Sequence, residues 1–187
     1  MTKTALVLVD IQNDYFEGGL WPVDKMQHVA ANAARLLDHA RTTGQAIFHV
    51  RHEFLSDDAP FFRPGSPGAR IHTSVTPTDG ERVILKHSPN SFQKTPLHEE
   101  LKAKGITDLV VCGAMSQMCI DATTRAAADL GYRVRVIEDA CGAKEQSFNG
   151  KDVPAPMVHA AFMAPLSGAY AEVLTTEAYF RQEQPGG

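Results

Sequence analysis

Thr107-Asp-Leu-Val-Val-Cys-Gly-Ala-Met-Ser-Gln-Met-Cys-Ile-Asp-Ala-Thr-Thr-Arg-Ala-Ala-Ala-Asp-Leu-Gly-Tyr-Arg-Val-Arg-Val-Ile137 reads as strand, turn, helix and strand in succession. Asp108–Cys112 is an unbroken apolar run after its opening acid, the pattern of a strand buried on both faces. Gln117–Leu130 has helical spacing, Gly131 supplies its C-cap, and Arg133–Ile137 returns to β-branched residues. Strand, crossover helix and strand within about 30 residues make the βαβ unit of a parallel sheet. Cys119 lies at the seam between the buried strand and the helix. A thiol there meets unpaired backbone N–H groups and the positive end of the helix dipole, and both favour the nucleophilic thiolate.

The same alternation extends in both directions. Upstream, Ala5–Val9 is a continuous apolar run closed by Asp10, and Lys25–Thr43 carries Val29, Ala33, Leu36, Leu37 and Ala40 at helical spacing before Gly44. Ala46–Val50 and Arg82–Leu85 read as strands, and Thr95–Lys104 as a short helix closed by Gly105. Downstream, a helix near Ala155–Ala164 precedes a strand at Ala171–Leu174. The expectation is a single domain over residues 1–187, an α/β, three-layer Rossmann-like fold. Its six-stranded, mainly parallel sheet carries helices on both faces. His52–Glu81, rich in Pro, Gly, Ser and Asp, is long for a loop in a compact domain. Two readings of it stand open: a surface excursion, or a substrate lid or subunit contact carried by Phe54, Phe61 and Phe62.

Composition narrows the partners. Eighteen basic against 22 acidic residues give a net charge of −4, with no basic run to follow a phosphate backbone, so nucleic acid is not an expected partner. No apolar stretch approaches membrane-spanning length, and the chain enters Thr4–Asp10 without a signal-peptide pattern, so a cytoplasmic protein without a membrane partner is expected. Cys112, Cys119 and Cys141 are odd in number and form no C-x-x-C, which argues against a disulfide framework or a Cys-rich zinc site. No G-x-G-x-x-G opens the first helix; Gly18-Gly19 lies in a loop, and no cofactor is expected.

Three polar residues stand at strand ends: Asp10 after the first, Lys86 after the third, and Cys119 in the turn after the fourth. Each alone has an ordinary reading, as a loop anchor, a solvated lysine or an inert core thiol. In an open parallel sheet, ligands bind outside the carboxyl ends of the strands, so the three are expected to converge on one crevice. His87, next to Lys86, points to the opposite face of its strand and is not expected in that crevice.

Ala5-Leu-Val-Leu-Val-Asp-Ile-Gln-Asn-Asp-Tyr-Phe16, Val110–Tyr132, Val134–Cys141 and His159–Thr176 resemble, in order, segments of the isochorismatase-like cysteine hydrolases. That superfamily holds nicotinamidases and N-carbamoylsarcosine amidohydrolase. The resemblance implies an Asp10–Lys86–Cys119 triad and a non-proline cis peptide at Ala114–Met115. It also implies an oxyanion hole from the backbone N–H groups of Met115 and Cys119. It suggests Phe16, Trp21 and Phe92 as aromatic clamps on a small planar substrate, and Gln117 as a substrate contact or helix cap. A homo-oligomer, dimer or tetramer, is implied as well. The activity implied is cysteine-dependent cleavage of a C–N bond in a small amide, carbamoyl or ureido compound through a thioester. A metal-assisted nicotinamidase or pyrazinamidase is the alternative, and a catalytically silent small-molecule binder is another.

Two departures bear on that choice. Nicotinamidases hold a metal through Asp-x-His and a later histidine, whereas His49-Val-Arg-His-Glu-Phe54 has no Asp two residues before His52. His52, Glu53 and His72 have ligand-type side chains. The reading taken is loop histidines without a metal. Isochorismatases proper lack the nucleophilic cysteine, so Cys119 favours an amidase.

Overall fold

The computed structural model describes residues 3–183. Among the described residues there are eight strands: β1 (Thr4–Val9), β2 (Ala46–His52), β3 (Arg82–Lys86), β4 (Asp108–Ala114), β5 (Arg133–Gly142), β6 (Gln146–Phe148), β7 (Lys151–Val153) and β8 (Glu172–Leu174). The α-helices are α1 (Met26–Thr43), α2 (Leu97–Ala103), α3 (Asp121–Asp129), α4 (Ala155–Ala169) and α5 (Thr176–Glu183). Six strands form one parallel sheet in the order β3-β2-β1-β4-β5-β8, and β6 and β7 pair as a separate antiparallel hairpin. All six strands read from the sequence are in this sheet. No described helix is long and apolar enough to cross a membrane.

The sheet is buried on both faces, which is why β1 reads as apolar without alternation. Leu6 and Leu8 pack with Val29, Ala33, Leu36 and Leu37 of α1 and with Tyr179 of α5. Ala5, Val7 and Val9 point the other way, into a cluster with Leu97 and Leu101 of α2, Ala127 of α3, and Met163 and Leu166 of α4. Removing each such side chain from water contributes roughly 1.5–3 kcal/mol for Val and Leu. The register aligns Val9, the last residue of β1, with Val50 and Gly113, near the carboxyl ends of β2 and β4. Gly113 has φ 126°, and a Cβ there would run into the backbone of Val9. Only glycine lets β1 and β4 close at that point. The chain passes from β1 to β2 on one side, and β4 lies on the other. The crevice above β1 and β4 is therefore the topological switch point.

Five features depart from the sequence reading. The helix expected over Gln117–Leu130 is divided: Ser116–Ile120 is a π-helical turn and α3 begins at Asp121. The Met115 carbonyl accepts both the Met118 and Ile120 N–H groups, and the wider turn takes up the extra residue. β5 continues to Gly142, past the expected Ile137, and α4 runs on to Ala169 through Pro165. The β6–β7 hairpin and α5 had no counterpart in the expectation; α5 is tied down by the Asp139 carboxylate, which accepts from both N and Oγ1 of Thr176.

Residues 52–81 run largely over the surface, as one of the two readings had it, but buried side chains anchor the stretch. Phe62 is fully buried and Phe61 nearly so, both in the α1-side core with Tyr15. The Asp14 carboxylate receives the Phe62 N–H at 2.7 Å and the Leu20 N–H at 3.2 Å. Gln12 donates to the carbonyls of His52 and Ala69 at 2.8 Å each and accepts the His52 N–H at 2.7 Å. Gly68 comes so close to the Asp14 carboxylate that a Cβ would collide with it. The loop is thus strapped onto the segment that follows Asp10.

Candidate active site

Asp10 follows β1 in the left-handed region, φ 52°, with its N–H on the Val50 carbonyl at 2.9 Å. A non-glycine residue held there marks a position that its surroundings enforce. Lys86 is the last residue of β3 and lies in register beside His52, the last of β2. Neighbouring strands are about 4.8 Å apart, so a side chain from β3 must cross the end of β2 to reach β1. An extended lysine stem is long enough.

The ammonium of Lys86 is the centre of the site. Its Nζ lies 2.7 Å from Asp10 Oδ2, 3.0 Å from His52 Nδ1, 3.1 Å from the Ser88 carbonyl and 3.2 Å from Cys119 Sγ. Asp10 and Lys86 are 0% exposed, Cys119 5% and His52 6%. The three residues expected to converge do so, at the carboxyl ends of β1, β3 and β4. His52 joins them, which sequence reasoning had considered only as a metal ligand. His87 faces away, with its Nδ1 2.7 Å from the Glu53 carbonyl.

Charge decides the resting protonation. Burial pushes the Cys119 thiol well above its ordinary range; Asp10 adds to the rise and Lys86 opposes it. Burial alone would lower the Lys86 ammonium, but Asp10 and Cys119 outweigh it and hold it above its usual value. One buried cation can neutralise one anion. With Asp10 charged, Cys119 stays a thiol, and a thiolate forms only as Asp10 takes the proton. Cys119 lies within the π turn, where burial opposes the thiolate that a strand-to-helix seam favours. Tyr15 roofs the same space. Its phenol is raised by burial, then by Cys119, Asp10 and Asp14, and its ring packs 4.5 Å from that of Phe62.

The Ala114–Met115 peptide is cis. Met115 leads into the turn that carries Cys119, and Ser116 anchors that turn. Ser116 Oγ donates to the Gly142 carbonyl at 3.1 Å and lies 2.9 Å from His159 Nδ1. Gln117 Nε2 donates to the Lys144 carbonyl at 3.2 Å, while its buried Oε1 has no partner among the described residues. The aromatic candidates have packing partners: Phe16 stacks on His72 with centroids 3.6 Å apart, Trp21 on Phe61 at 4.8 Å, and Phe92 on Tyr132 at 6.1 Å. A surface hollow of about 610 Å³ beside Asp108, Tyr132 and Arg133 lies at the amino ends of β4 and β5, away from this site.

His52, Glu53 and His72 do not form a common metal centre. Glu53 pairs with Arg51, and His72 Nδ1 lies 2.9 Å from Ser74 Oγ. Among the described residues, the group with ligand spacing is Asp10, His52 and Cys119, whose donor atoms lie within 4.8 Å of one another. The Lys86 ammonium stands among those donors, so a metal cation there would face an adjacent buried positive charge. The residues present do not fit a metal.

This geometry can be set beside known proteins. The isochorismatase domain model matches residues 4–178. The chain belongs to the isochorismatase family. An uncharacterized family member, YddQ of Bacillus subtilis (strain 168), is 50% identical over 178 residues, covering 95% of this chain and 99% of that protein. A crystal structure of a relative from Oleispira antarctica superposes with a TM-score of 0.93 at 50% identity, covering 96% of this chain and 97% of that one. A streptothricin hydrolase of Streptomyces noursei is 38% identical over 138 residues, which is 73% of this chain but 48% of that protein. The chain is thus an isochorismatase-family hydrolase, and the six-stranded α/β sheet is the family fold.

Proposed function

We propose that this protein is a cysteine-dependent amidohydrolase that cleaves a C–N bond in a small amide, carbamoyl or ureido compound. One observation carries the reading: a fully buried ammonium lies 2.7 Å from a carboxylate and 3.2 Å from a thiol, at the switch point of a parallel sheet. A buried charge pair beside a cysteine is costly as mere packing and is the arrangement nucleophilic catalysis requires. The streptothricin hydrolase relative adds a hydrolytic precedent within the family.

The mechanism follows from charge conservation. Asp10 takes the Cys119 proton as sulfur attacks the carbonyl carbon, so the anion moves from carboxylate to sulfur beside the same ammonium. The backbone N–H groups of Met115 and Cys119 receive the tetrahedral oxyanion. As the C–N bond breaks, Asp10 returns the proton to the leaving amine or ammonia, leaving a Cys119 thioester. Water then attacks that thioester, giving its proton to Asp10, and collapse releases the acid and restores the thiol. Lys86 stays protonated throughout and prevents two anions from being buried unpaired. The metal-assisted nicotinamidase reading is disfavoured by the position of that ammonium.

The test is ammonia release from a panel of small amides, N-carbamoyl compounds and ureides. The wild-type protein should release ammonia from at least one, and Cys119→Ala should release none while unfolding at a similar urea concentration. Equal activity in Cys119→Ala would remove the nucleophile and the reading with it.

A further inference from the structure

Glu138, His159 and Ser116 form a second polar chain that the mechanism leaves unused. Ser116 opens the π turn that carries Cys119 and is 0% exposed. Its Oγ lies 3.1 Å from the Gly142 carbonyl and 2.9 Å from His159 Nδ1. The opposite edge of that ring faces β5, with Nε2 3.5 Å from Glu138 Oε2. His159 comes from α4 and Gly142 from the end of β5, so one hydroxyl joins three elements.

The direction of the chain is set by its protons. A carbonyl only accepts, and a hydroxyl has one proton to give. If that proton went to His159, the Ser116 and Gly142 oxygens would face each other 3.1 Å apart with no hydrogen between them. The proton therefore goes to Gly142, and Ser116 Oγ accepts the Nδ1–H of His159. Carboxylate, imidazole and hydroxyl follow the order of a serine hydrolase triad, but this ring donates to the hydroxyl where a general base would accept. Ser116 is no nucleophile here; it is held in place.

What it holds is the turn at the heart of the chemistry. Ser116 follows Met115 and lies three residues before Cys119, the two residues whose N–H groups the proposed mechanism aims at the oxyanion. Among the described residues no side chain caps the start of this turn, and its other side-chain tie is that of Gln117 to the Lys144 carbonyl. Oxyanion donors work because they are fixed before charge develops, and a misplacement of about 1 Å can cost roughly a hundredfold in rate.

We propose that His159 is a positioning residue that, by donating to Ser116, fixes the turn presenting the Met115 and Cys119 N–H groups to the oxyanion. The inference rests on the cysteine-dependent reading and adds to it a residue that acts through another side chain.

Two reagents separate this role from mere packing. Acetylation of Cys119 by p-nitrophenyl acetate passes through a tetrahedral oxyanion, whereas alkylation by iodoacetamide displaces iodide and forms none. Both rates, read by mass spectrometry of Cys119, are normalised to those of free cysteine. The variants are His159→Asn, whose amide N–H overlays Nδ1–H, His159→Gln, whose amide overlays Nε2 instead, and His159→Leu.

In the wild type, normalised acetylation should exceed normalised alkylation. His159→Leu and His159→Gln should lower acetylation about 10–100-fold and leave alkylation within about twofold, while His159→Asn keeps most of the acetylation rate. Adding His159→Leu to Ser116→Ala should cost nothing beyond Ser116→Ala alone. Acetylation unchanged in His159→Leu, equal losses in the two reactions, or His159→Asn as slow as His159→Leu would overturn the positioning role. Wild-type acetylation no faster than alkylation would leave no oxyanion stabilisation to arrange, and would overturn this inference alone. Labelling of Cys119 by neither reagent would instead overturn the nucleophile reading, and this inference with it.

Discussion

Lys86→Met isolates the electrostatic core of the site. Methionine nearly matches the volume of the lysine stem, so the main change is loss of the ammonium. Apart from that ammonium, neither carboxylate oxygen of Asp10 has a hydrogen-bond partner among the described residues, and the side chain is 0% exposed. Removing one member of a buried pair costs about 3–5 kcal/mol, because the other charge is left unpaired in a medium that solvates it poorly. That is a large share of the roughly 5–15 kcal/mol that holds a domain folded. Urea unfolding of wild type, Lys86→Met, Asp10→Asn and the double variant would measure it. The single lysine variant should lose about 3–5 kcal/mol at neutral pH, and the cycle should show a coupling of about 2 kcal/mol or more. A loss under about 1 kcal/mol, or a double variant no better than Lys86→Met, would refute the buried ion pair as the organising element.

Phe62→Ala should destabilise by about 3–5 kcal/mol in urea titration, as expected for a fully buried aromatic rather than one on a surface loop. Gly68→Ala should drive the chain away from the Asp14 carboxylate; amide exchange should then accelerate at Phe62, whose N–H that carboxylate accepts. Neutral His52 stabilises the fold fully above its unfolded pKa of about 6.5, and that contribution is lost as pH falls towards its folded value of about 4. Nitrogen NMR of the histidine rings should therefore find His52 uncharged at pH 5. A charged ring at that pH would contradict the packing described.

Much of the fold was legible because burial writes itself into composition. β1 and β4 are apolar on both faces, and α1 shows its stripe of Val29, Ala33, Leu36, Leu37 and Ala40. Asp10, Lys86 and Cys119 stood out because each interrupts or follows such a run. What stayed hidden depends on contacts distant in the chain. Nothing local distinguishes Phe62 in a Pro- and Gly-rich loop from an exposed residue; its burial depends on Asp14, 48 residues away. The inward turn of His52 depends on its register with Lys86, which the spacing of the chain does not reveal. The break at Ser116–Ile120 was obscured because a π turn and an α-helix share nearly the same apolar spacing. A strand-to-helix seam suggests a dipole effect at Cys119 but says nothing of its burial.

The central claim is that Cys119 carries the acyl group during turnover. Acid quenching of the wild-type protein while it hydrolyses its best amide, followed by intact-mass and peptide analysis, tests this directly. The predicted result is a mass increase equal to the acyl fragment, localised to Cys119, discharged by hydroxylamine and absent from Cys119→Ala. Sustained ammonia release by Cys119→Ala, with no acyl group ever found on the wild-type cysteine, would contradict it.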